Sequence, residues 1–559
     1  RKKKILLLKV IENVEDEDAI IDINKEPRRK RFNIKPEILI AVGGAVLAML
    51  VRFYLMQFDN YQLSSSWFQE LTILKGISDQ TWFNNDLMMS GEYAMMSLYS
   101  MLTGISPEMA LESFGLFQAF ILCFIIFWFI DAMTNSLITI PLISALAFAL
   151  LFNLAPINIT QLTHSKGTLM ALTFALPAMM FIRKPWKLYQ SQPKAYFFGM
   201  LMIFMAIALT NLFTLLILIP PYFVVSAIFL RKRYVVYFVK SLGAYVLASS
   251  IIFGSFALSA YQADVDFFLF IRSNLLAITA TTNTSNMVFS YDKLILVIQI
   301  ISAGTIAIML LLFKTKSVKW AGPISFLIYM NVMLLISESG FEYFDNDLFN
   351  EVLPVFIACA IGLIFYLIYY FFNTSLKRIV IPDFISAPII FIAFVGFAYF
   401  SQQELLIRNI KTGSLSKDIL EAYQEVKANY IPYSYAVINS NSLQAVSVNS
   451  HNFISYAEFV DSYPERDSVY FANKENKDFL RANSEYIVPN SLLIFMYDQI
   501  PQEFSGKVAI DANLMTASQQ QLDRLKALGR PVRLFFEKGG LKVYEIVNNP
   551  NLAKVSESL

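Results

Sequence analysis

The sequence predicts a polytopic α-helical membrane protein that ends in a soluble α/β domain. Of its 559 residues, 56% are apolar and only 16% are charged, and the mean hydropathy is +0.51. A soluble protein carries about 25% charged residues. Apolar runs of about 18 or more residues recur over the first 400 positions, and a run of that length crosses a bilayer as a helix. From position 401 the composition changes to that of a water-soluble domain.

The chain starts with a basic tail, residues 1–37, which we predict to be cytoplasmic. It is too long and too acidic ahead of its first apolar run for a secretory signal. After it, residues 38–400 form the predicted transmembrane domain, with about eleven spans. These spans are 38–57, 108–130, 137–155, 168–182, 196–211, 213–230, 237–260, 294–313, 321–337, 352–372 and 379–400.

The charges of the connecting loops predict the orientation. With the N-terminus inside, twelve basic residues fall in the short inner loops: Arg183, Lys184, Lys187, Lys194, Arg231, Lys232, Arg233, Lys314, Lys316, Lys319, Lys377 and Arg378. The outer loops hold four: Lys75, Lys166, Arg272 and Lys293. Because short cytoplasmic loops are enriched in Lys and Arg, the N-terminus is predicted inside and, after eleven crossings, the C-terminus outside.

The long first outer loop, residues 58–107, contains two amphipathic stretches. SSSWFQELTILKG places Trp67, Leu71 and Leu74 at helical spacing behind a serine cap, and EYAMMSLYSMLTG ends at Gly104. We expect both helices to lie along the membrane interface.

Residues 401–559 form the predicted extracytoplasmic domain. SLSKDILEAYQEVKANY and ASQQQLDRLKALG predict helices, and YAVINS and LLIFMYD predict strands. PVRLFFEKGGLKVYEIV predicts a hairpin that turns at Gly539 and Gly540.

Cysteine and histidine are too few for several kinds of site. Cys123 and Cys359 both lie in apolar runs, which excludes a disulfide framework and a cysteine metal site. His451 is predicted in a surface loop. A net charge of +2 that is sorted by loop gives no indication of a nucleic-acid partner.

Acidic residues of the first outer loop are the first candidates for chemistry. Asp59 follows the first span directly, and ionisable groups at membrane depth are functional by default. A carboxylate there could take a proton from an acceptor or hold a divalent cation. Asp86, in FNNDLMMSGEY, is a second candidate, whereas Asp79 and Glu108 are predicted to be ordinary water-facing charges.

Basic residues on the outer side are the second set of candidates. His164 and Lys166, in NITQLTHSKGTLM, could together hold an anionic group such as a lipid phosphate. The alternative is that Lys166 extends to lipid headgroups and His164 caps a helix. Arg272 is another phosphate candidate, with Asp264 or Asp266 as a partner.

The loop ISESGFEYFDNDLFNE carries five acids and no base: Glu338, Glu342, Asp345, Asp347 and Glu351. Their mutual repulsion requires a cation or a basic partner from elsewhere, unless the loop is simply solvated.

The order of these features resembles the GT-C class of integral-membrane glycosyltransferases. FDNY after the first span is similar to the FDPY-like stretch of oligosaccharyltransferase catalytic subunits, with Asn60 in place of proline. GEYAMMSLYSMLTGISPEMALESFGLFQAF resembles the way in which these enzymes, and more loosely the protein mannosyltransferases, run from the first loop into the second span. No WWD-like stretch occurs in the soluble region, which disfavours protein N-glycosylation.

The resemblance implies transfer of a sugar from a polyprenyl-phosphate donor to a glycan, lipid or protein acceptor at the outer face. Asp59 would be the base or cation-holding carboxylate, and Asp86 a second acid. His164, Lys166 and Arg272 would contact the lipid phosphate, and no metal ligands are assigned, with a divalent cation left open. A bacterial inner membrane is the expected location.

Two alternatives remain from the sequence. One is a non-catalytic accessory subunit of a membrane complex that keeps the GT-C shape. The other is a transporter, which is disfavoured because the charges cluster at the outer helix ends and no internal repeat is found.

Overall fold

The structure, a computed structural model, describes most of the chain. The described residues are 36–56, 61–78, 89, 91–134, 138–151, 162–185, 188, 193–230, 232–262, 264–276, 291–312, 321–339, 345–376, 383–408, 414–498, 508, 510–550 and 553–555. The chain divides into residues 1–40, of which only 36–40 are described, and a compact unit over residues 41–559.

Fourteen described helices precede the C-terminal domain. They are α1 Pro36–Leu55, α2 Ser65–Ser78, α3 Gly91–Thr103, α4 Pro107–Thr134, α5 Thr139–Leu150, α6 Gly167–Arg183, α7 Pro193–Thr210, α8 Ile219–Ile228, α9 Val235–Gln262, α10 Phe267–Ser273, α11 Tyr291–Leu312, α12 Ala321–Glu338, α13 Asn346–Leu376 and α14 Asp383–Arg408. A π-helical turn at Thr214–Leu218 leads into α8.

The prediction of a polytopic helical protein is confirmed. Six described helices are long and apolar enough to cross a membrane: Glu37–Leu55, Pro107–Thr134, Val235–Gln262, Lys293–Leu311, Ala321–Glu338 and Asn346–Phe371. Shorter apolar helices occupy the other five predicted positions, at Thr139–Leu150, Gly167–Arg183, Lys194–Thr210, Thr214–Ile228 and Ser386–Phe400. The count of eleven crossings and the orientation stay predictions.

Helix α5 lies inside the helical bundle. Every one of its twelve residues is buried, as expected for a helix that is apolar on all sides. It packs against α4 and α13. A Cβ at Gly362 of α13 would collide with the Ser144 hydroxyl of α5, so glycine permits the close approach of these two helices.

The predicted C-terminal α/β domain is also confirmed. Its strands are β1 Tyr435–Asn439, β2 Asn452–Ser455, β3 Ser491–Tyr497, β4 Val532–Lys538 and β5 Leu541–Val547. They form one sheet in the order β2-β1-β3-β5-β4. β1 runs parallel to both β2 and β3, while β5 is antiparallel to β3 and β4. The helices are α15 Ser414–Asn429, α16 Gln444–Ser447, α17 Tyr456–Asp461, α18 Tyr463–Ala472, α19 Lys477–Ala482 and α20 Ala512–Ala527.

Local sequence explains the sheet. β1 and β3 are buried along their whole length, which fits their continuous apolar runs because parallel strands are covered on both faces. In the predicted hairpin, Gly539 and Gly540 have φ values of 57° and 83°, which the turn between β4 and β5 requires.

One hydrophobic core joins the first outer loop to this domain. Trp67, Leu71 and Leu74 of α2 are completely buried in the same cluster as the apolar side chains of β1 and β3. Burial of a leucine side chain contributes about 1.5–3 kcal/mol. The prediction that α2 lies along the membrane interface is therefore wrong, because the soluble domain covers its apolar face.

The second amphipathic helix keeps an exposed apolar face. In α3, Leu98, Met101 and Leu102 are more than half exposed, which fits the predicted interfacial position. Gly104 ends the helix with a φ of 71°.

Candidate functional site

A cavity of about 100 Å³ lies where α2, α3, α6, α10 and α13 approach one another. Its charged lining consists of Glu70, Glu92, Glu351 and Lys166, which we call the Glu92 cluster. Hydroxyl and amide groups complete the polar lining, from Ser165, Thr168, Asn211 and Asn274. Among the described residues, three carboxyl groups thus share one small space with a single ammonium.

Among the acids of the Glu92 cluster that lie outside the apolar spans, Glu92 has the most strongly shifted pKa. It is 8% exposed, in the first turn of α3, and accepts a short hydrogen bond from the Ser165 hydroxyl. The pKa of Glu92 is raised to about 8, mainly by burial and also by the nearby charges of Glu70 and Glu351, against the opposing effects of Ser165 and Lys166. Near neutral pH, this carboxyl group therefore holds a proton that it can exchange.

Glu351 is the second buried carboxyl group, 6% exposed at the start of α13. It accepts a hydrogen bond from the Thr168 hydroxyl at 2.5 Å and is attracted by the charge of Lys166. For the acidic loop around Glu351, the sequence left open a simply solvated loop, a cation, or a basic partner from another part of the chain. Lys166, more than 180 positions earlier, provides that charge.

Lys166 is held in place through its backbone. The amide side chain of Gln118, buried in α4, donates to the Lys166 carbonyl at 2.8 Å and accepts from its N–H at 3.1 Å. The Lys166 ammonium lies 5.9 Å from the centre of the Tyr61 ring, which in turn packs against His164 at 4.5 Å. The ammonium therefore faces the cavity from a fixed point of the main chain.

Glycine makes the close packing around the cavity possible. A Cβ at Gly115 of α4 would overlap the Thr163 carbonyl and lie 2.7 Å from the carbonyl carbon of His164. A Cβ at Gly91 would overlap the Leu209 carbonyl. Both positions are places where backbone approaches backbone, which a larger residue would prevent.

Buried hydrogen bonds hold the start of the first outer loop on α4. Glu112 accepts from the Trp67 indole at 2.7 Å and from the Gln62 amide at 2.8 Å. Between these donors, Leu63 is fully buried with a φ of 61°, a conformation that is costly for a side chain of this size. The neighbouring Tyr61 is thus fixed beside the Glu92 cluster.

A second group of buried charges lies at the junction of α2 with the soluble domain. Lys75 donates to the carbonyls of Ala445, Val446 and Val448 at 2.7–3.1 Å and pairs with Glu108 at 2.7 Å. Lys427 of α15 reaches the same Glu108 oxygen at 2.9 Å. We call Lys75, Glu108 and Lys427 the Lys75 cluster.

Two predictions about this region are wrong. Glu108 is 4% exposed rather than water-facing, because the soluble domain covers it and supplies Lys427. His451 is 4% exposed rather than on a surface loop, because its ring stacks on Tyr423 and Tyr435. Burial, together with the charges of Lys427 and Lys75, lowers the pKa of His451 to about 3.

The predicted site residues fall into two groups. Asp59 and Asp86 lie outside the described residues. The next described residue after Asp59 is Tyr61, whose ring contacts Lys166. The next described residue after Asp86 is Met89, which lines the cavity. His164 is buried beside Tyr61, and Lys166 lines the cavity. These assignments stay predictions.

Arg272 lies near the cavity but is exposed. It is in the last turn of α10, and the next two residues, Ser273 and Asn274, line the cavity. Asp266, one of its two expected partners, caps this helix by accepting from the N–H of Phe268 at 2.9 Å.

Sequence reasoning did not single out Glu70, Glu92 or Glu351 as site residues. Two features of the sequence could have indicated them. Glu92 directly follows the glycine that starts α3, and Glu351 lies in an acidic loop that lacks a base. Among the described residues, no three His, Cys, Asp or Glu side chains are arranged to hold a metal ion.

Two solved structures are similar to this chain. One is the arabinofuranosyltransferase AftD from Mycobacteria, at 12% identity and a TM-score of 0.42 over 91% of this chain. The other is the oligosaccharyltransferase of Archaeoglobus fulgidus, at 12% identity and a TM-score of 0.46 over 83% of this chain and 70% of its own. Both are glycosyltransferases of the GT-C class.

The chain spans 40% of the length of the arabinofuranosyltransferase. No protein-family model matches the sequence, and no curated protein matches it.

Proposed function

We propose that this protein is a membrane glycosyltransferase that moves a sugar from a polyprenyl-phosphate donor to an acceptor at the outer face of the membrane. The observation that carries the proposal is Glu92, a buried carboxyl group with a pKa of about 8 in a cavity shared with Lys166. General bases work best when their pKa lies near the operating pH. The resemblance of the sequence to GT-C enzymes supports the same reaction.

The reaction needs a base and a stabilised leaving group. The acceptor hydroxyl attacks the anomeric carbon, its proton passes to a carboxylate, and the bond from that carbon to the phosphate oxygen breaks with its electron pair on the phosphate. Asp59 is the base that the resemblance implies, and Glu92 in its ionised form is the described group suited to the same step. Lys166 would offset the charge of the departing phosphate, helped by His164 and Arg272.

The excess of carboxylates supports a sugar at this site. Glycosyl transfer develops positive, oxocarbenium-like charge on the sugar ring. Glu70 and Glu351, which face the same cavity as Glu92, would stabilise that charge electrostatically. Asp86 would add a further acid on the same side of the membrane.

The test is release of polyprenyl phosphate from several polyprenyl-phosphate sugars by the purified protein in nanodiscs. We expect Asp59→Asn and Glu92→Gln each to lower turnover by about 10²-fold or more, since each removes a base and keeps the size. Glu458→Gln, an exposed position of α17, is the matched control and should retain full turnover.

Each alternative has its own outcome. Loss in Asp59→Asn alone would make Asp59 the base and Glu92 a bystander. Absence of turnover in the wild type with every donor would overturn the proposal in favour of a non-catalytic accessory subunit.

A further inference from the structure

The soluble domain contains a crevice that is larger than the cavity at the Glu92 cluster. Its volume is about 350 Å³, within the range of ligand sites in proteins. It opens at the carboxyl ends of the parallel strands β1 and β2, where the chain leaves the sheet at residues 440–442 and 455–457. Ligands of open α/β sheets bind at this edge. The third side is the start of α20, at Ile510, Asp511 and Leu514.

The polar groups of the crevice are mostly neutral. Ser440, Asn441, Ser442 and Ser455 contribute hydroxyl and amide groups, and Asp511 is the single charged residue among the described residues of the lining. The side chains of Asn441 and Ser442 make no hydrogen bond within the described part of the chain. Asp511 uses one oxygen, Oδ1, to cap α20 at 2.8 Å from the Asn513 nitrogen, and its other oxygen can accept a bond from a ligand.

The described lining disfavours several ligand classes. Among its described residues, a phosphate or other anion would meet a carboxylate and no cation. A divalent cation would find one carboxylate only in the same set of residues. A purely apolar ligand would leave the hydroxyl and amide groups without partners.

We propose that this crevice binds a neutral saccharide. Such a ligand offers hydroxyl groups to Asn441, Ser442 and Asp511, and its C–H faces fit the apolar side chains of Ile510 and Leu514. The site is separate from the Glu92 cluster, so the proposal goes beyond the proposed function: the soluble domain holds a glycan independently of the transfer step.

The crevice is built on a rigid segment. Residues 440–442 lead through Leu443 into α16, whose Ala445 and Val446 carbonyls accept hydrogen bonds from the buried ammonium of Lys75. A site whose lining is fixed before binding loses less conformational entropy when the ligand arrives.

The experiment measures binding of neutral oligosaccharides of mannose, galactose, glucose and arabinose to the full-length protein in nanodiscs, by saturation-transfer NMR. We expect at least one of them to bind, and Ser442→Trp, which fills the crevice, to lower its affinity at least tenfold. Gln520→Trp adds the same ring to an exposed position of α20 outside the crevice and should leave the affinity unchanged.

Two further variants keep the test valid if Ser442→Trp fails to fold. Asn441→Ala and Asp511→Asn remove one ligand contact each, and asparagine still caps the helix. Both should weaken binding several-fold. Absence of binding by the wild type, or unchanged affinity in all crevice variants, would overturn the proposal.

The saccharide proposal and the proposed function can fail separately. Glu92→Gln should lose sugar transfer and bind the oligosaccharide as the wild type does. Asn441→Ala should lose binding and still release polyprenyl phosphate from the donor.

Discussion

The Lys75 cluster and the Glu92 cluster are both buried groups of charges, but they have opposite balances. In the Lys75 cluster, two ammonium groups share one carboxylate, and three backbone carbonyls accept from Lys75. In the Glu92 cluster, three carboxyl groups share one ammonium around a cavity. The first arrangement compensates its charges within the protein. The second leaves negative charge that a proton or a substrate must balance.

This difference separates a structural role from a chemical one. Buried charges are tolerated when partners and hydrogen bonds compensate for their desolvation. The Lys75 cluster meets this condition and joins α2, α4 and α15 across the two parts of the chain. The charges of the Glu92 cluster are compensated only when Glu92 holds a proton. The charge of this site therefore depends on pH and on the ligand that it binds.

Lys75→Met gives the largest expected effect. It leaves the buried Glu108 with the partly exposed Lys427 alone and removes the partner of three carbonyls. We expect the free energy of unfolding to fall by about 3–5 kcal/mol, the cost of breaking a buried ion pair. Thermal unfolding and tryptic release of the C-terminal domain measure it. Lys427→Met is the control, and its free energy of unfolding should fall by less than about 1 kcal/mol. Equal losses in the two variants would contradict the larger contribution expected of Lys75.

Gly115→Ala gives an intermediate effect on the other cluster. The new Cβ would push away the backbone of Thr163 and His164, which leads to Ser165 and Lys166. We expect a loss of about 1–3 kcal/mol in stability and a lower rate of sugar transfer. Gly243→Ala in α9, where a Cβ meets nothing within 4 Å, should change neither. Normal turnover in Gly115→Ala would show that the position of this segment is not critical.

Over a single pH unit, the pH dependence of Glu92 gives the smallest effect, and it tests the contrast directly. Between its ordinary pKa of 4.5 and its folded value of about 8, the folded protein keeps a proton on Glu92 that the unfolded chain releases. Stability of the wild type should therefore fall as pH rises through this window, by about 1 kcal/mol per pH unit relative to Glu92→Gln. Thermal unfolding of both proteins from pH 4.5 to pH 8 measures the difference. Parallel curves would show that another group holds the proton.

Much of the fold could be predicted from the sequence, because patterns over a few residues specify its helices and turns. Apolar runs located a helix at each of the eleven predicted span positions, and the Gly539-Gly540 pair located the hairpin turn. Local patterns could not show what covers a helix. The apolar face of α2 has the same sequence pattern whether lipid or a domain 370 positions away packs on it. Its burial against the soluble domain was therefore not predicted.

The candidate site was predictable only in part for the same reason. Lys166 was proposed because bases are scarce on the outer side, and for the acidic loop without a base the sequence left a basic partner open beside a solvated loop. The identity of that partner, and the raised pKa of Glu92, depend on desolvation and on contacts between residues that are far apart in the chain.

By itself, the sequence determined that this chain is a helical membrane protein with an α/β domain after its last span, since hydropathy and turn chemistry act over a few residues. Only the tertiary structure decided which buried charges are compensated and which are not. Coulombic attraction and burial act through space, and they distinguish Lys75 among its carbonyls from Lys166 among its carboxylates.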